Sequence, residues 1–109
     1  MDNHAVVVAD KSGTIQLWSA GAERLFGRTR DEAVGKTLDL IVPEEFRSDH
    51  WTGFRRAMDT GDSKIAGQPF DIPVRRPDGT VTPFFGMFVL VRDATNATIG
   101  AMAIFNPPS

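Results

Sequence analysis

His50 is the residue of this chain best placed to do chemistry. It closes the segment Ile41-Val-Pro-Glu-Glu-Phe-Arg-Ser-Asp-His50. Pro43 suits the first turn of a helix, where its missing N–H costs nothing, and Glu44 and Glu45 suit the positive end of the helix dipole. From there Phe46, His50, Phe54, Ala57 and Met58 recur at helical spacing, so the spacing predicts an apolar stripe with an imidazole in its middle. A histidine on such a face must satisfy two ring nitrogens with a hydrogen bond, a charge partner or a metal. Spacing alone leaves open a core histidine bonded to a peptide carbonyl and a metal ligand. The stripe aims the ring into the space between the helix and the rest of the fold, where burial favours the neutral form. Asp49 lies about 100° around the helix and is expected to face away.

Little else in the sequence suggests reactivity. Acidic residues are scattered over turns and helix ends, without a nucleophile–base pair, so the chain is not expected to be an enzyme. Gly35-Lys-Thr37 echoes the end of a phosphate-binding loop but lacks its earlier glycine and comes after a helix rather than a strand. With no cysteine, disulfides, thiolate zinc sites and iron–sulfur clusters are excluded. A net charge of −2 supplies no field for nucleic acid. No apolar run approaches the roughly 20 residues that span a bilayer, and Met-Asp-Asn-His lacks the features of a signal peptide; a cytoplasmic location is expected. The 109 residues, 41% hydrophobic and 24% charged, suffice for one domain.

The elements that must position His50 read clearly. Ala5–Ala9 and Thr14–Trp18 form a hairpin about Asp10-Lys-Ser-Gly13. Ser19 caps a helix over Ala20–Phe26 that Gly27 ends. Thr29 and Glu32 make a capping-box pattern for a second short helix ending at Gly35. Leu38–Val42 leads into the long helix, which stops near Thr60-Gly61. Phe70–Val74 alternates, with Pro69 and Pro73 marking an edge strand or bulge. Arg75–Gly79 is a tight turn, Val81–Val91 a strand with one face in the core, and Ile99–Phe105 the last strand. The order β-β-α-α-α-β-β-β predicts an α+β domain, an antiparallel sheet with helices on one face. Phe84, Phe85, Phe88, Met58, Met87 and Met102 are expected in the core, and Ala5–Ala9 is a candidate apolar edge.

Asp10-x-x-Gly13-x-Ile15-x-x-Trp18, Ala22-Glu-Arg-Leu-Phe-Gly27, Glu32-x-x-Gly35-Lys and Pro43, with Arg75-Arg-Pro-Asp-Gly79 and Pro83, resemble a PAS domain over essentially the whole chain. That implies a five-stranded antiparallel sheet and a sensory or signalling role for residues 1–109. Ser19 departs from the asparagine many PAS domains carry there, although its hydroxyl can also cap a helix.

Within that family, Arg47-Ser-Asp-His50, Phe54, Thr60-Gly61, Ile65-Ala-Gly67 and Arg75-x-x-Asp78-Gly79 resemble the haem-binding PAS domains of FixL-type oxygen sensors. The resemblance implies haem b with His50 as the iron's proximal ligand, sensing O₂, CO or NO on the opposite face. It places Arg56 and Lys64 near the propionates, and Phe54, Gln68, Phe70, Gly86 and Phe88 about the pocket. The distal side departs: Phe70 stands where that family has an arginine that donates to bound oxygen, Gln68 is the nearest alternative donor, and Gly86 and Phe88 replace aliphatic residues. Two other readings stay open. One is a cofactor-free module that dimerises or docks a partner protein; the other is a pocket for a small organic molecule walled by Phe70, Phe84, Phe85 and Phe88.

Overall fold

Five strands form one antiparallel sheet in the computed structural model, which describes residues 3–108. They are β1 (Ala5–Asp10), β2 (Ile15–Trp18), β3 (Phe70–Arg75), β4 (Val81–Arg92) and β5 (Thr98–Phe105), in the order β2-β1-β5-β4-β3. Helices α1 (Ala20–Phe26), α2 (Arg30–Ala33) and α3 (Arg47–Thr60) lie between β2 and β3, with 3-10 turns at Leu38–Leu40 and Glu44–Phe46. This is the expected α+β architecture.

Local chemistry accounts for the helix boundaries. Ser19 Oγ accepts from the backbone of Ala22 at 3.1 Å and from that of Val6 at 2.8 Å, so one hydroxyl caps α1 and ties it to β1. Thr29 and Glu32 form the reciprocal capping box. Gly27 and Gly61 end α1 and α3 in the left-handed conformation that glycine adopts without penalty.

Three expectations are corrected. The chain after Pro43 does not enter an α-helix directly: it makes a 3-10 turn, and α3 begins at Arg47. Phe46 therefore drops out of the apolar stripe and is 45% exposed. Ala5–Asp10 is not an edge, because β1 is paired with β2 on one side and β5 on the other. The edges are β2 and β3. Pro73 sits on β3 as expected, opposite Pro83, in the stretch of β4 that precedes its pairing with β5 at Gly86.

Alternation along the strands divides the sheet into two faces. Ala5, Val7, Phe84 and Phe105 face the helices and form the core with Phe26, whose ring meets Trp18, Phe84 and Phe105 edge-on at 4.9–5.6 Å. Phe85, Met87 and Met102 point the other way, contrary to expectation; Phe85 is 53% exposed. Only Met58 of the three methionines is buried with the core. Trp18 is buried, and its indole N–H donates to the Arg28 carbonyl at 3.0 Å.

Candidate ligand site

Helix α3 does not lie flat on the sheet. Between them is a cavity of about 560 Å³ with predominantly apolar walls, within the range of small-molecule sites. Its floor is the inner face of the sheet, including Val7, Ala9, Phe88, Leu90 and Ala103, and its roof includes His50, Phe54, Ala57 and Met58 of α3. Ile41 and Val42 close one end.

Six of the eight residues singled out from sequence come together here: His50, Phe54, Arg56, Lys64, Phe70 and Phe88. Arg56 and Lys64 line the cavity yet are exposed, which puts both at its mouth. Gln68 and Gly86 do not line it. Gln68 lies in the turn before β3 rather than on the strand, is exposed, and uses its backbone N–H to bond the Ile65 carbonyl at 3.0 Å. Gly86 is buried where β4 crosses β5 so closely that an added Cβ would strike the Ile104 carbonyl oxygen. Its role is backbone approach. Of the proposed aromatic wall, Phe70 and Phe88 line the cavity, Phe84 belongs to the core, and Phe85 is on the far side of the sheet.

His50 faces the cavity as the stripe predicted, but half-buried rather than buried. Its ring lies 4.9 Å from that of Trp51, edge-on, and 5.9 Å from that of Phe54, stacked. Its Nδ1 is buried and has no hydrogen-bond partner. Buried polar atoms are rarely left so, and such an atom calls for an explanation. Burial pulls the imidazole below its ordinary pKa of 6.5, while the carboxylate of Asp39 pushes it back up. The net direction is down, so His50 should be neutral at pH 7. In an NMR titration its ring protons should change below pH 6.5. A ring titrating at or above that value would contradict the geometry. Stability is linked to this titration: between the folded pKa and 6.5 the unfolded chain binds more protons, so stability is full above 6.5 and falls on acidification through that window.

Asp39 is the residue sequence reasoning missed. Asp49, expected to face away, is exposed and lies at the cavity rim, but Asp39, on the 3-10 turn Leu38–Leu40, carries the charge that acts on His50. Its Oδ1 accepts from Trp51 Nε1 at 2.7 Å and lies 3.7 Å from Arg47 Nε. No local pattern announces this, because Asp39 reaches α3 through backbone pairing of residues 35–38 with the β1–β2 turn. At the other end of α3, Arg92 donates to the Gly61 carbonyl at 2.7 Å and to Thr98 Oγ1 at 3.0 Å, tying the helix to β4 and β5.

A family model described as the PAS fold matches residues 3–108. The chain belongs to the PAS family. Over 79 residues this PAS domain is 40% identical to the sensor protein FixL of Bradyrhizobium diazoefficiens, an alignment spanning 72% of this chain and 16% of that protein. Over 74 residues it is 23% identical to the oxygen sensor protein DosP of Escherichia coli, spanning 68% of this chain and 9% of DosP. Among solved structures it resembles the PAS domain of a Colwellia psychrerythraea protein, with a TM-score of 0.81 at 20% identity, over 98% of this chain and 87% of the other. It also resembles the PAS domain of the Cronobacter turicensis quorum-sensing receptor RpfR, solved with C12:0, with a TM-score of 0.73 at 15% identity, over 100% and 97% of the two chains. The structural likenesses establish the fold, and the PAS assignment makes this a sensory domain. The chain spans only a small part of the curated relatives, so their whole-protein activities are not transferred. No helix among the described residues is long and apolar enough to cross a membrane.

Proposed function

We propose that this PAS domain binds haem b in the cavity between α3 and the sheet, with His50 as the iron ligand, and senses a diatomic gas. The observation that carries the reading is the half-buried His50 in the cavity wall, with one ring nitrogen buried and unpartnered. The other residues fit the group. Phe54, Phe70, Phe88 and Leu90 supply apolar contact for a macrocycle, and Arg56 and Lys64 at the mouth supply cations for its two carboxylates. A haem held by His50 would supply the iron that binds O₂, CO or NO. Phe70 and Phe88 offer no hydrogen-bond donor there, so the walls contribute exclusion of water rather than a polar contact to the gas. The named roles of FixL as a sensor and DosP as an oxygen sensor support the same reading. The domain acts by sensing rather than catalysis, in the cytoplasm. Adding haemin to the purified protein should give a saturable Soret band at one haem per chain. No band above that of free haemin would overturn the reading.

A small organic ligand is the second reading, favoured by the apolar walls and by the C12:0 held in the RpfR PAS domain. Native mass spectrometry of protein purified without added haem separates the two: a bound mass other than haem supports this one. A sensor also has to transmit. The outer sheet face exposes Leu17 and Phe85, and the domain pairs through it with a second copy or a partner protein. Sedimentation over a concentration series should show a reversible dimer. A monomer throughout would count against self-pairing.

A further inference from the structure

We infer that Asp39 is a positioning residue for His50, acting through the indole of Trp51. The inference rests on the haem reading for its consequence, and on independent geometry for its substance. The Trp51 indole is held on two sides by elements outside α3. Its N–H donates to Asp39 Oδ1 at 2.7 Å. Its six-membered ring lies over Gly13 of the β1–β2 turn, where φ is +84° and a Cβ would occupy the position of the indole itself. The same indole meets His50 edge-on at 4.9 Å, with 73° between the rings, and Phe54 edge-on at 5.5 Å.

Asp39 is itself anchored. Its carbonyl accepts from Arg47 Nη2 at 3.1 Å, and its neighbour Leu38 donates its backbone N–H to the Gly13 carbonyl at 3.0 Å. A fixed carboxylate thus holds a fixed indole, and the indole bounds one side of the imidazole. Apart from the stacked Phe54 ring, the imidazole borders the cavity, and its Nδ1 has no partner to set the ring plane, so the Trp51 wall bears on its orientation. A ligand ring whose orientation is not set by outer contacts binds its metal more weakly, typically by 10–100-fold.

The test compares Asp39→Ala and Trp51→Phe, which remove the hydrogen bond, with Asp39→Asn, whose side-chain oxygen still accepts it. Haem transfer to apomyoglobin should be about 10-fold faster in D39A and W51F and largely restored in D39N. Unchanged transfer in D39A, or D39N as impaired as D39A, would overturn the inference. In haem-free protein, the nuclear Overhauser contact between the His50 and Trp51 rings should persist in D39N and be lost in D39A; a contact unchanged in D39A would overturn it equally. Should the wild-type protein take up no haem, the functional reading falls while this second measurement still decides the role of Asp39.

Discussion

Replacing His50 with alanine should abolish haem retention: the Soret band should collapse towards that of free haemin, with affinity lowered more than about 100-fold. Removing an outer partner of a metal ligand costs about 10–100-fold, and on the proposed reading the ligand itself is lost. Phe54 and Ala57 carry no donor atom, and Met58, which also lines the cavity, lies two turns further along α3 and would hold a haem at a different place. The variant should fold as well as the parent. The His50 ring is half-buried, and its Nδ1 makes no hydrogen bond that alanine would break. Added imidazole should restore part of the band by entering the vacated space. Arg56→Ala and Lys64→Ala should act less, because both side chains are exposed and their attraction to carboxylates is screened. An unchanged spectrum in H50A would mean that His50 does not hold the iron.

The largest effect on stability should come from Phe26→Ala. Phe26 is 1% exposed and stands among Trp18, Phe84 and Phe105, joining α1 to strands β2, β4 and β5. Truncating a buried phenylalanine costs about 3–5 kcal/mol, from lost transfer energy and the cavity left behind. Domains have only about 5–15 kcal/mol in total. Urea unfolding monitored by fluorescence should show the midpoint fall sharply at an unchanged slope. A loss below about 1 kcal/mol would show that the aromatic cluster repacks freely and is not the centre of the fold. Phe85→Ala, on the outer face, is the natural comparison and should cost far less.

What the sequence made legible is what local periodicity carries. The Phe70–Ile72–Val74 alternation, the caps at Ser19 and Thr29 and the stripe His50–Phe54–Ala57–Met58 all depend on residues within a few positions of one another, and all reappear in the fold. Features set by distant partners did not show. The place of β1 inside the sheet depends on pairing Ala5 with Phe105, at the opposite end of the chain. Asp39 meets α3 because residues 35–38 are held against Gly13–Ile15 by backbone bonds that include the Thr14–Thr37 bridge. Phe46 was lost to a change of period, because the 3-10 turn after Pro43 advances three residues per turn and puts Phe46 out of phase with α3. Gln68 failed for a related reason: the alternation that would have aimed it inward starts two residues later, at Phe70.

Helix α3 behaves as a beam supported at its ends. Near its start, Trp51 and Arg47 rest on the turn that carries Asp39; past its last residue, Arg92 grips the Gly61 carbonyl. Between these supports the helix turns His50, Phe54, Ala57 and Met58 towards the cavity. A beam loaded at mid-span delivers its reaction at the supports. A ligand in the cavity would touch His50 and Phe54, the first beside the support at Trp51 and the second one turn beyond it. A change inside the cavity therefore has two fixed points through which it would meet the sheet, whose far side bears exposed apolar residues.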